Sequence, residues 1–512
     1  MNKYFSVLTF FILILGLRGI VGAPQSKELI SDKWREYGPL ELSPERGRFA
    51  LLYSLIEDRS FQLSADLTKF SEPDVAFING KFVSLFAPGL TFFSIPGYLL
   101  GKIFNISQAG AFSTVLVFAL MNFLILRAIS LKMGASLTSA NLSSFAFIFG
   151  TPAFTYAVSF YQHHLSLFLL LSAIYLLIKS KNIWSDFAIW TIFGFSFLVD
   201  YPNLAMFLPV AVFAFFRFFE LKTEGKNQLL TIKFFRLFSI FASLIPLLIL
   251  FWFNQNSYDN PFQLSATLET TKDIEIKKEN PNFLQNEEKK EILDFFNLEN
   301  LSNGLYIHLF SSNRGVVFFA PVSLIGIIGA ILAYKKKNPY IFLFLSIILV
   351  NLLLYSLWGD PWGGWAFGSR YLIPSYAMLS IFLSLALTYW SKKIFFLFLF
   401  WILFVYSTTV NSLGALTSSK NPPIVEISSL EKITGQKQRY SFDRNWDYLL
   451  SKGSKSFIYQ TYLKDFLKPE EYFLFIAGVI NILGLVLIAL NWKSSSKDKI
   501  DLAKKDYFLA IH

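Results

Sequence analysis

The 512-residue chain has no cysteine and only four histidines, and charged residues make up just 16% of it. The missing cysteine excludes disulfides, thiolate zinc sites and a cysteine nucleophile, and says nothing about compartment. Four histidines leave too few ligands for a histidine-rich metal centre. The scarcity of charge is the more telling lack. Apolar residues reach 54%, above the about 45–50% usual in soluble domains. They gather in charge-poor runs of roughly 16–22 residues, long enough to cross a hydrocarbon core of about 30 Å.

The net charge of +11 would point to nucleic acid if it formed a patch on a soluble domain. Instead the bases lie in short segments between apolar runs, where topology and anionic lipid headgroups account for them, and no nucleic-acid partner is expected. The runs fall at residues 4–17, 109–126, 140–159, 165–178, 184–199, 204–219, 234–253, 315–334, 341–357, 372–389, 394–410 and 473–492. They predict an all-α polytopic membrane protein of about 12 transmembrane helices, with a large structured first exterior loop and surface-lying helices.

Basic residues orient the bundle. Arg127 and Lys132; Lys179 and Lys181; Arg217, Lys222, Lys226 and Lys233; Lys335-Lys336-Lys337; Lys392-Lys393; and Lys493 with the tail after it all fall on one side. The short connections 160–164 and 200–203 contain no Lys or Arg. The positive-inside rule makes the basic side cytoplasmic. Residues 1–22 then read as a first transmembrane helix or signal anchor, with a cleaved signal peptide as the alternative and Arg18 snorkelling to the interface. Residues 23–108 form the first exterior loop, 109–410 the bundle with a second exterior loop at 254–314, and 411–471 a small exterior domain. Residues 472–492 are the last transmembrane helix and 493–512 a basic cytoplasmic tail. In the first loop, 48–57 can form a short amphipathic helix. The stretch 90–100, opening at Pro88-Gly89 and interrupted by Pro96-Gly97, is too short to span and reads as a helix at the membrane surface. Lys272, Lys277, Lys278, Glu279, Glu287, Glu288 and Lys289 mark a solvated helical or flexible cap in the second loop.

Polar groups concentrate at the exterior ends of the spans. The first loop supplies Glu45, Arg46, Arg48, Asp58, Asp66, Asp74 and Lys81; His163-His164, Asp200, Asp259 and Arg314 follow; the run Trp358-Gly359-Asp360-Pro361-Trp362-Gly363-Gly364-Trp365 leads to Arg370-Tyr371. By topology all face one exterior cavity. Arginine binds phosphate bidentately, tryptophan stacks on sugar rings, and a carboxylate can take a proton, so the set suits a lipid-linked anionic substrate. Plainer roles stand beside these: an aromatic belt for the tryptophans, an interfacial cap for His163-His164, a helix end for Asp200, and pairing with Asp360 for Arg370.

Two segments carry a family likeness: Glu45-Arg46-Gly47-Arg48-Phe49-Ala50, and Asn79-Gly80-Lys81-Phe82-Val83-Ser84-Leu85-Phe86-Ala87-Pro88-Gly89-Leu90. They resemble the first-loop motifs D-E-x-R-Y-A and N-G-x-x-Y-x-x-K-P-P-L of the GT-C superfamily of membrane glycosyltransferases, the class of the protein O-mannosyltransferases and lipid A aminoarabinose transferases. Thr151-Pro152, Asp200-Tyr201-Pro202, Asn313-Arg314-Gly315 and the stretch from Gly364 to Pro374 are similar to later pieces of bacterial members. Glu45 and Arg46 stand where the family has Asp and Glu, and Val83 and Phe86-Ala87 replace its Tyr-x-x-Lys signature. The resemblance implies inverting transfer of a sugar from a polyprenyl-phosphate donor to a glycan, lipid or protein acceptor, on the exterior face of a bacterial inner membrane. Glu45 or Asp74 would be the catalytic carboxylate. Arg48, Lys81, Arg314, Arg370 and Tyr371 would hold the donor phosphate, and His163, His164, Asp200, Trp362 and Trp365 the substrates. Members of the superfamily differ in metal use, so a divalent metal stays open. An O-antigen ligase or polymerase and a lipid-linked sugar flippase are the alternatives; the large first loop and the nearly charge-free spans weigh against them.

Overall fold

The structure, a computed structural model, describes residues 2–224, 227–271 and 292–494. The expected cap around Lys272–Lys289 and most of the basic tail lie outside those residues. Five helices are long and apolar enough to cross a membrane: Ser107–Lys132, Phe234–Tyr258, Arg370–Tyr389, Ile394–Leu416 and Pro469–Lys493. Shorter apolar helices, among them His163–Lys179, Ile183–Val199, Asn203–Phe216 and Ile341–Ser356, bring the number to twelve among the described residues. The chain is an all-α polytopic membrane protein, as its apolar runs predict.

Several runs are not single helices. The run at 140–159 divides into Leu137–Phe149 and Ala153–Ala157. Pro152 offers no N–H between them, and the Thr151 hydroxyl donates back to the Phe147 carbonyl at 2.7 Å. The run at 315–334 is stepped, with turns at Val316–Phe319 and Pro321–Leu324 ahead of Gly326–Lys335. An antiparallel hairpin, Phe219–Glu224 with Asn227–Ile232, fills a basic connection where no strand is expected from the sequence.

In the first loop, a helix over Ser43–Tyr53 ends in a wider turn, Ser54–Asp58. The surface helix runs Gly89–Ile103 and packs against Ser107–Lys132 with almost no space between backbones. A Cβ on Gly97 would sit 2.5 Å from the Gly110 carbonyl oxygen, and one on Gly101 would sit 2.8 Å from the Gly110 Cα. Only glycine admits that approach. Ahead of the surface helix in the chain comes a hairpin of Val75–Ile78 and Lys81–Ser84. Its turn, Asn79-Gly80, has φ of +48° and +78°, as a two-residue type I′ connection requires.

Arg18 does not snorkel. It is fully buried: Nη1 pairs with Glu41 Oε2 at 2.9 Å and Nη2 donates to the Gly414 carbonyl at 3.0 Å. Lys455 Nζ reaches the other oxygen of Glu41 at 2.9 Å. A buried triad thus joins the C-terminal end of the first helix, the segment 23–108 and the segment 411–471. Arg18 turns inward because Glu41 and two carbonyls offer it better partners than the interface would.

Candidate active site

Glu45 stands in the first turn of the helix Ser43–Tyr53, and its carboxylate reaches back past the helix start. Oε2 accepts from the backbone N–H of Glu41 at 3.0 Å and of Leu42 at 3.2 Å, while Oε1 accepts from Phe160 N–H at 3.2 Å. Both oxygens are engaged and the residue is fully buried. Burial pushes this carboxyl up to about 7, against the pull of the Arg18 charge. Glu45 therefore clamps the first loop onto the connection that precedes His163.

Asp74 immediately precedes the hairpin. It is half-buried, and the Ser43 hydroxyl donates to Oδ2 at 2.5 Å. Its second oxygen accepts no hydrogen bond among the described residues. Lys81, on the second strand, is held at the rim, with Nζ 3.1 Å from both oxygens of Asp259.

One helical turn beyond Glu45, Arg48 points inward. Nη1 donates to the Pro44 carbonyl at 2.8 Å, the guanidinium lies 4.2 Å from the centre of the Phe86 ring, and Nε is buried without a partner. Burial draws its pKa down to about 10, and Asp200 is the strongest charge acting the other way. Arg370 Nη2 donates to the Gly363 carbonyl at 2.8 Å, and both Nε and Nη1 are buried and unpartnered. Its guanidinium lies 5.1 Å from the Tyr161 ring and 5.4 Å from the Tyr371 ring. Asp360 does not pair with it: that carboxylate accepts from Gly364 N–H at 2.5 Å instead. Among the described residues neither arginine makes an ion pair.

Asp200 lies between Ile183–Val199 and Asn203–Phe216 and accepts from Gln162 Nε2 at 2.9 Å. Burial raises its pKa; the Gln162 bond, Arg48 and Arg370 lower it. The floor of this pocket is aromatic. Tyr161 stacks on His163 with ring centres 5.7 Å apart, and Tyr371 stacks on Tyr355 at 4.1 Å. The Tyr161 hydroxyl, His163 Nε2 and Trp362 Nε1 are also buried without partners. Arg48, Arg370, Tyr371, Asp200 and His163 thus converge, while Trp362 meets Arg314 through its backbone carbonyl, which accepts from that guanidinium.

The other expected residues sit differently. Arg314 is buried and donates to the carbonyls of Asn313, Trp362, Gly364 and Asn421, which makes it a pin between loops. His164 is enclosed, with Nε2 against the Ala153 carbonyl at 2.8 Å and Nδ1 3.2 Å from Asn122 Nδ2. The carbonyl requires Nε2 to carry the proton, leaving Nδ1 to accept from the amide. Trp365 donates to Glu426 Oε2 at 2.7 Å and has Lys420 and Arg444 over its ring instead of Arg48 or Arg370. Among the described residues no three acidic or histidine side chains come together to hold a metal ion. Tyr161, Gln162 and Tyr355 escape sequence reasoning. The run Tyr161-Gln162-His163-His164, rich in polar groups within a connection devoid of charge, is the signal that marks the first two.

No family model matches the chain, and neither does any curated protein. Among the solved structures similar to it are two of the same protein. ArnT from Cupriavidus metallidurans in the apo state shares 11% identity at a TM-score of 0.46, covering 96% of this chain and 76% of that one. ArnT from the same organism bound to undecaprenyl phosphate shares 11% identity at a TM-score of 0.41, covering 97% and 77%. At that overlap no residue's role transfers.

Proposed function

We propose that this protein is a membrane glycosyltransferase that moves a sugar from a polyprenyl-phosphate donor to a glycan, lipid or protein acceptor at the exterior face of a bacterial inner membrane. The observation that carries this reading is the pair Arg48 and Arg370. Two guanidinium groups are held in one aromatic pocket with three N–H-bearing nitrogens unpartnered and no carboxylate in contact. Burying unsatisfied cations is costly, and a phosphate supplies what they lack: negative charge and acceptor oxygens in the geometry of a guanidinium fork. The basic ends of the helices, gathered on the opposite side, support the exterior placement.

In the reaction, the acceptor hydroxyl attacks the anomeric carbon from the face opposite the phosphate. The carbon–oxygen bond to the lipid phosphate breaks, and its electron pair leaves on a phosphate oxygen neutralised by Arg48 and Arg370. The acceptor proton passes to a carboxylate, for which Asp74 is the better placed because one of its oxygens is free while both of Glu45's are bonded. Asp200 orders Gln162 and balances the two arginines before donor binds. Incubating the purified protein with a panel of polyprenyl-phosphate sugars tests the reading. Sugar release or transfer from at least one is expected, and inertness toward all, in a preparation that melts cooperatively, would refute it.

A further inference from the structure

A second concave surface includes Trp365 of the loop that carries Arg370. Two hollows of about 540 and 220 Å³ share Tyr37, Tyr448, Lys452 and Lys455 in their walls, so they form one cleft between the first exterior loop and the exterior domain. Its charge is lopsided. Arg35, Lys420, Arg444 and Lys452 line it without an ion pair among the described residues, and Lys33 and Lys464 extend the same sign. Of the two acids present, Glu41 is already neutralised by Arg18 and Lys455, which leaves Glu36 alone.

These cations are held over rings. Lys420 and Arg444 lie 5.7 and 5.6 Å from the Trp365 ring centre, and Lys452 lies 5.7 Å from that of Tyr448. Burial lowers the pKa of both Lys420 and Arg444, the mark of cations crowded into partial enclosure. Tyr37, 70% exposed, presents an open aromatic face in the same cleft. A concave wall of one sign focuses potential and attracts the opposite charge. An exposed ring between such cations offers a stacking face for the C–H side of a sugar.

We infer that this cleft binds the acceptor, and that the acceptor is an anionic saccharide, one bearing phosphate or carboxylate groups. The inference rests on the glycosyltransferase reading for the word acceptor, though not for the binding itself. The cleft is well sited for that role. Trp365 lines it, and Arg370 of the arginine pocket stands five residues further along the same loop, so a saccharide lodged here lies near the proposed donor.

The test uses the full chain in a neutral detergent, with glucose 1-phosphate and glucuronate as probes and glucose and inorganic phosphate as controls. Calorimetric titration should show binding of both sugar anions, weaker binding of phosphate and none of glucose. The pair Arg444→Gln with Lys452→Gln should weaken the sugar anions at least about tenfold, given two lost charge-assisted contacts, and raising the salt should weaken wild-type binding too. Tyr37→Ala should weaken glucose 1-phosphate and leave inorganic phosphate unchanged. Release of sugar from a polyprenyl-phosphate donor without acceptor should be the same in the cleft variants as in wild type. If wild type binds neither sugar anion, or binds only anionic-lipid bilayers, or if the paired variant binds as tightly as wild type, the cleft assignment falls. If the sugar anions bind as expected and no polyprenyl-phosphate sugar is consumed, the transferase reading falls and the cleft stands.

Discussion

Substituting Glu41 by Gln isolates the buried triad. Burial alone would push the Glu41 carboxyl up, but Lys455 and Arg18 outweigh it, and the pKa falls from 4.5 to about 2. Ser418 and the Ser419 backbone add hydrogen bonds at 2.7 and 2.8 Å. At about 1.4 kcal/mol per tenfold, that difference corresponds to roughly 3 kcal/mol of stability at neutral pH. Breaking one partner of a buried ion pair gives a similar figure, about 3–5 kcal/mol, because the stranded cations stay enclosed. The pKa is lower in the folded state, so the contribution is complete above the unfolded value and is lost as pH falls toward the folded one. Near pH 3 about three-fifths of it is gone. Glu41→Gln in detergent should therefore melt several degrees below wild type near pH 7, and the difference should shrink to about two-fifths of that near pH 3. Equal melting at neutral pH, or a difference insensitive to acid, would refute the reasoning.

Arg370→Lys should keep the charge and lose the fork, weakening donor use, and Arg370→Ala should nearly abolish it; donor titration on preparations of wild-type melting temperature checks both. Asp74→Asn should lower turnover by about 10²–10⁴-fold without loss of expression, whereas Glu45→Gln should lower melting temperature and leave the folded fraction competent. If Asp74→Asn keeps more than about a tenth of the rate, another carboxylate is the base. Reporter fusions after Lys181, Lys337 and Lys393 should give cytoplasmic signals and one after Ser454 an exterior signal; a cytoplasmic Ser454 would place the cleft on the wrong side of the membrane.

The spans were legible because crossing a bilayer demands apolar length, and that demand is written locally. Their interruptions were only partly so: Thr151-Pro152 announces a break, while the stepped helix after Gly315 depends on neighbours. Asn79-Gly80 stood out as a motif and folds as a hairpin turn, a local reading that the pattern of residues already permitted. Arg18 could not be placed, since its partners are Glu41 and carbonyls some four hundred positions along the chain. Glu45 shows the reverse case: its position was evident, but its role depends on Phe160, whose N–H arrives from another loop. The cationic cleft draws on the first loop and the exterior domain at once, so neither segment alone looks more basic than a solvated surface.

The loop from Asp360 to Arg370 works as a spacer of fixed length. Gly363 and Gly364 both take positive φ, 70° and 60°, and Arg314 holds the carbonyls on either side of Gly363 while also gripping Asn421. The Ala366 N–H returns to that same Asn421 carbonyl at 2.9 Å. Fastened at so many points, the loop cannot stretch to suit what it meets. On the reading proposed above, the gap between the arginine pocket and the cleft is set by the protein itself, and partners of the wrong reach are excluded by distance before any contact with them is judged.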